Sequence, residues 1–166
     1  MAERRVGVAL DFSDNSKYAL SWALENLIRL GDIVFLIVVQ KMEDEDGVAN
    51  LWEVTGSPLV TLREMKDSST ARKYHIPYDS EMVEELEATA RTKDLTVNAK
   101  VYFGDARVKI VEAVAEHKID ALVMGNRGMS GIKRIFLGSV SNYVVNNVPC
   151  PVTIVKLPEH VLDIAF

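Results

Sequence analysis

The chain has 166 residues, 48% of them hydrophobic and 26% charged, with a formal net charge of -5. That length holds one domain with a full core in the composition range of ordinary globular proteins, and a pI near 5.2 argues against the basic face of a nucleic-acid binder. No apolar run approaches the roughly eighteen residues of a membrane span, the N-terminus lacks the form of a secretory signal, and Cys150, alone, excludes an internal disulfide and fits a reducing, cytoplasmic setting.

In chain order, five apolar and largely β-branched runs predict strands: 5–10, 32–39, 95–103, 120–125 and 151–157. All but the third are nearly continuous in Val, Ile, Leu and Ala, as strands covered on both faces are. The third alternates (Val97, Ala99, Val101, Phe103) and reads as an edge strand with one wetter face. Between the runs lie helical patterns. The first runs from Ser16 to Leu30, with Tyr18, Ala19, Trp22, Ala23, Leu27 and Leu30 inward and Gly31 as its stop. Asp79 to Lys93 crowds acids into its first turn, where the helix dipole favours them. Ala106 to His117 follows a capping Asp105 and repeats Val108, Val111 and Ala115 on one side. Ser139 to Asn147 is short and ends before Pro149.

Strand and helix alternate throughout, which predicts one α/β domain over 1–166 with a parallel sheet, right-handed crossovers and helices on both faces. Only the segment 41–78 interrupts the rhythm: it is long and polar, with acids at 43–46 and Ser68-Ser69-Thr70, and reads as a mobile connection or a lid. His75, His117 and His160 lie too far apart for metal spacing, so no metal site is predicted.

The chemistry gathers after the fourth run. Residues 125–141 read GNRGMSGIKRIFLGSVS, with four of the chain's nine glycines and three cations, and no Asp or Glu occurs between 121 and 158. In open α/β sheets ligands sit beyond the carboxyl ends of the strands, and a helix N-terminus there seats a phosphate. Glycine permits positive φ and a close backbone approach. The spacing is neither a P-loop, because Leu137 and not lysine stands before Gly138-Ser139, nor a dinucleotide fingerprint, because the first run is followed by LDFSD.

Gly125-x2-Gly128-x9-Gly138-Ser139, together with VGVALD at 6–11, the strand ending Val38-Val39 and the closing PCPVTIVK, resembles the nucleotide-binding signature of the universal stress protein family. The long 41–78 segment is similar to that of plant members. The resemblance implies a Rossmann-like open sheet of five parallel strands in the order 3-2-1-4-5, of the adenine nucleotide alpha hydrolase type, binding ATP or AMP between strands one and four. By position it implies Ala9, Leu10 and Asp11 beside the adenosine, with Asp11 either on the ribose or capping the first helix with Ser13 and Asp14. Val39 and Met124 would pack on adenine or serve only as core. Gly125, Asn126, Arg127, Gly128, Gly138, Ser139, Val140 and Ser141 would wrap the phosphates, and any Mg2+ would be held through ATP oxygens.

Three functions follow as alternatives: a nucleotide-dependent stress or signalling module without efficient catalysis, a slow ATP hydrolase or phosphotransferase, or a chaperone-like or redox module using Cys150, whose setting between prolines favours a buried, inert thiol. No catalytic residue, nucleic acid or membrane partner is predicted. A last strand at 151–157 bare on one edge predicts a homodimer that buries Val152, Ile154 and Val155, unless the tail HVLDIAF covers it.

Overall fold

A computed structural model describes residues 3–41, 57–126 and 137–158. Its elements are β1 (Arg5–Ala9), α1 (Asp14–Asn26), β2 (Ile33–Gln40), β3 (Leu59–Thr61), α2 (Leu62–Met65), α3 (Ser68–Lys73), α4 (Ser80–Lys93), β4 (Thr96–Phe103), α5 (Ala106–His117), β5 (Ala121–Gly125), α6 (Ser139–Asn147) and β6 (Val152–Val155). They form one sheet in the order β3-β4-β2-β1-β5-β6. Every neighbouring pair is parallel except β3 with β4.

Set β3 aside and the order is the predicted one, 3-2-1-4-5. The sixth strand is the difference. Leu59, Val60 and Thr61 pair antiparallel with Lys100, Ala99 and Asn98, so the third predicted run is not the edge. The segment read as a mobile connection also supplies α2 and α3. A complete capping box between Thr61 and Glu64 starts α2, and Asp67 caps α3 by accepting from the Ser69 N–H. Val60, Met65, Ala71 and Ile76 are all buried, and these four side chains dock the segment on the sheet. The acids at 43–46, Leu51 and Trp52 lie outside the described residues.

The strands form where their side chains can be covered on both faces. β2 buries Val34 to Val38 without a break. On one face Val6, Val8, Val34 and Leu36 meet Leu20 and Leu24 of α1 and Leu86 of α4. On the other, Ala9, Phe35, Ile37 and Leu122 meet Ile110, Ala113 and Val114 of α5 and Val144 of α6. Each fully buried Leu contributes about 1.5–3 kcal/mol relative to an exposed one.

Helices α5 and α6 keep their predicted bounds, and α4 starts one residue later than predicted, at Ser80, because Asp79 is its N-cap as Asp105 is that of α5. Two details differ. α1 ends at Asn26 with Leu27 as its C-cap, and Leu30 is 76% exposed. Gly31, at φ +78°, turns the chain five residues beyond the end of the helix and donates its N–H to the Lys93 carbonyl. α5 turns Ile110, Ala113 and Val114 inward, while Val108 is 43% exposed and Ala115 is exposed. The predicted stripe was one step round the helix, because the three alanines and four valines and isoleucines of α5 leave two possible apolar faces and the sheet selects one.

Candidate functional site

β1 connects to β2 on one side of itself and lies beside β5 on the other, so strand order reverses between β1 and β5. The crevice at their carboxyl ends is where this architecture places a ligand. Three chain segments meet there: the β1–α1 turn, the end of β5, and the start of α6.

The β1–α1 turn is tightly wired. Phe12 has φ +62°, the left-handed region that a bulky residue adopts only when neighbours hold it there. Asp11 does the holding, because its Oδ1 accepts from the Ser13 N–H at 3.0 Å and from the Ser13 hydroxyl at 2.5 Å. Ser13 is then the N-cap of α1, accepting from the Ser16 N–H, and the Ser16 hydroxyl accepts from the Asp11 N–H. Of the two readings of Asp11, the turn-building one is what the structure contains. Oδ2 has no hydrogen-bond partner among the described residues.

Gly125 closes β5. It is needed here for closeness and not for a special φ. A Cβ on it would stand 3.1 Å from both the carbonyl carbon and oxygen of Asn15, which are backbone atoms in the first turn of α1. No sequence pattern reports this contact with Asn15, since it spans the gap between a strand end and a helical turn 110 residues earlier. Asn126 follows; its N–H donates to Val155 and its carbonyl accepts from Gly138 at 2.8 Å. Its side-chain Oδ1 is buried without a hydrogen-bond partner among the described residues.

α6 is set in place by these contacts. The Ser141 hydroxyl, 3% exposed as a residue, donates to the Gly125 carbonyl at 3.0 Å. Gly138 is the N-cap and, lacking a side chain, makes no capping hydrogen bond. The N–H groups of Ser139, Val140 and Ser141 therefore begin the helix without intrahelical partners, at its positive end. Gly138 has φ -59° and ψ 161°, a conformation open to any residue, so of the two properties glycine offers it does not use the freedom of positive φ. What the glycine contributes is the absence of a competing cap.

The remaining predicted residues divide. Ala9 and Met124 are buried core on the α5–α6 side, and Val39 and Val140 are half-buried against the same cluster. Leu10 is buried in the core cluster on the α1 side, and its N–H donates to the Ile37 carbonyl. Ser139 is exposed. Arg127 and Gly128 lie outside the described residues, as do Gly131, Lys133 and Arg134.

Cys150 is half-buried, and burial pushes its thiol above the usual range, away from the thiolate that redox chemistry requires. Among the described residues no group of three or more His, Cys, Asp or Glu could hold a metal ion. No described helix is long and apolar enough to cross a membrane.

An open, mostly parallel sheet whose order reverses between β1 and β5, with the N-terminus of α6 beside that point, defines a Rossmann-like α/β class of fold. The chain belongs to the universal stress protein family, whose model matches residues 3–156. It is 29% identical over 169 residues to universal stress protein PHOS32 of Arabidopsis thaliana, an alignment covering 95% of this chain and 66% of that one, so the chain spans just under two thirds of that relative. Universal stress protein UspA from Lactobacillus plantarum shares the fold with a TM-score of 0.64 at 20% identity, covering 93% of this chain and 99% of that one. A universal stress family protein from Arabidopsis thaliana, solved with AMP bound, does so with a TM-score of 0.57 at 22% identity over 95% of this chain and 94% of that one.

Proposed function

We propose that this chain binds an adenine nucleotide, ATP or AMP, in the crevice between β1 and β5, and that occupancy alters its conformation or assembly in a stress-response or signalling role. The observation that carries the reading is the bare N-terminus of α6. Three amides without a hydrogen-bond partner among the described residues stand at the end of β5 behind a glycine cap, in a segment with no carboxylate from 121 to 158. The solved Arabidopsis protein that holds AMP supports adenine as the base. In this reading Asp11 Oδ2 meets the ribose, Val39 and Met124 border the base, and Gly125, Asn126, Arg127, Gly128, Gly138, Ser139, Val140 and Ser141 surround the phosphates. Residues 1–166 act as one domain, and two copies pair through β6.

The same geometry argues for binding without efficient turnover. Phosphoryl transfer relies on a metal bridging the phosphates and a positioned base or nucleophile. The donors of α6 are neutral, and Asp11 spends one oxygen on Ser13. A Mg2+ ion would be held by nucleotide oxygens and water, not by a protein cage.

Mass spectrometry of ligand released from purified protein, followed by calorimetry with ATP and AMP, tests the proposal. Absence of both carried ligand and binding up to about 1 mM nucleotide, a very weak affinity, overturns it. Steady-state hydrolysis at about one per second or faster, within the range of dedicated kinases and abolished by Asp11→Asn, would make the protein an enzyme instead.

A further inference from the structure

We infer that Gln40 selects the base, accepting a hydrogen bond from an exocyclic amine and so rejecting a 6-oxo purine; this rests on the nucleotide reading above. The placement follows from the sheet. With phosphates at the start of α6 beyond β5, a nucleotide laid across β1 continues towards the carboxyl end of β2, the next strand. Strands are spaced about 4.8 Å apart, so the path from β5 to β2 covers roughly 10 Å, comparable to the length of a nucleoside monophosphate. Gln40 is the last residue of β2.

Its backbone is fixed, because its carbonyl accepts from the Gly104 N–H at 2.9 Å. Its side chain is fixed too. Nε2 donates to the His75 carbonyl at 2.9 Å. A carbonyl oxygen can only accept, so the amide cannot be turned over: the NH2 group must face His75 and Oε1 must be the free end. Among the described residues no donor is spent on Oε1.

The His75 carbonyl is itself well held. His75 sits in the left-handed region at φ +54°, and the following Ile76 is buried and donates its N–H to the Ala71 carbonyl at 2.8 Å. The segment after β3 thus orients a carboxamide whose outward group is an acceptor. Adenine offers a 6-amino donor to such a group, whereas guanine and hypoxanthine offer a 6-carbonyl that repels it. The bulky 57–78 segment gains a role here: it aims Gln40.

AMP and IMP, which differ at C6, are the probes, with calorimetry on the whole chain and on Gln40→Leu and Gln40→Glu. The parent should bind AMP at least about tenfold more tightly than IMP, a difference of about 1.4 kcal/mol. Gln40→Leu should bring that ratio near one, mainly by weakening AMP, with an unchanged thermal midpoint showing that it is folded. Gln40→Glu loses the bond to His75 but keeps acceptor oxygens, so it should retain the preference for AMP. A purely structural tie to His75 would be lost in both variants alike. Equal loss in both, an unchanged ratio in Gln40→Leu, or a parent that binds AMP and IMP equally sinks this inference alone. A parent that binds neither nucleotide removes the nucleotide reading and this inference with it.

Discussion

The hydroxyl of Ser141 and the carbonyl of Gly125 meet at 3.0 Å in the interior, fastening the first turn of α6 to the last residue of β5. The bond connects the two segments that would receive a phosphate, so site geometry and fold stability share one contact. Ser141→Ala leaves the Gly125 carbonyl buried and unpaired, which should destabilise the fold by about 1–3 kcal/mol. Urea unfolding measures it, and a midpoint equal to the parent's would show that the bond is dispensable.

Gly138→Asp should separate stability from binding. The backbone at φ -59° and ψ 161° accepts aspartate without strain, and its carboxylate would cap the free amides of α6. Stability should hold or rise by a few tenths of a kcal/mol, roughly. Nucleotide affinity should fall more than about tenfold, because the capping carboxylate occupies the phosphate donors and repels the phosphate. Unaltered ATP binding in this variant, measured by calorimetry, would move the phosphate seat elsewhere.

Gly125→Ala adds a methyl group 3.1 Å from Asn15 backbone atoms, which cannot rotate away as a side chain can. Destabilisation of about 1–3 kcal/mol is expected from the overpacking, together with displacement of the β1–α1 turn. Thermal melting and amide shifts of Asp11 to Ser16 report the two effects. A variant that melts like the parent with unmoved shifts would mean that the strand end and α1 have slack.

His117 should make stability fall on mild acidification. It stacks on Phe35 at 4.6 Å between ring centres, and its Nε2 lies 3.2 Å from the Tyr102 hydroxyl, which donates to Glu116 at 2.7 Å. Burial holds its pKa below the ordinary value of 6.5; Lys100 and Arg5 push the same way, and Glu116 opposes them. The unfolded chain then binds the proton first, so stability is full above about pH 6.5 and declines as pH drops towards the folded pKa. His117→Phe should show a smaller loss between about pH 7 and 5.5, a window set by the unfolded histidine. Equal slopes for parent and variant would assign the loss to other groups.

β6 should pair with its counterpart in a second copy. Among the described residues its only strand partner is β5, and Val152 and Ile154 are half-buried. Val155, expected to need the dimer for burial, is already buried in the single chain. Sedimentation at tens of micromolar should show a dimer, since a specific interface dissociates well below roughly that concentration. A monomer there rules the pairing out.

The strands β1, β2 and β5 were readable because they are buried on both faces and their sequences say so without interruption, whereas their order followed from the resemblance of the glycine signature and not from the apolar runs. α4 and α5 were readable because Asp79 and Asp105 mark their starts. β3 was not: Leu59–Thr61 is three residues long, and only Val60 turns inward, too little for any period to register. The end of α1 was misjudged because Leu27 and Leu30 continue the helical spacing while the chain has already turned towards Lys93. In the site, the free amides of α6 could be anticipated from Gly138-Ser139. The contact of Gly125 with Asn15 and the hold of His75 on Gln40 could not, since both depend on elements brought together only by the finished sheet.

The antiparallel β3 has a consequence for how many copies can join. A sheet with two long open edges can add copies at both and grow into a filament. Here one edge ends in a strand of three residues that runs against its neighbour, a ladder too short to hold an incoming strand. Among the described residues that leaves the β6 side, and a two-fold pairing there would consume it on both molecules at once. If β6 pairs in this way, growth would stop at two copies, and the short strand that anchors the longest inter-element segment would also guard the chain against open-ended polymerisation.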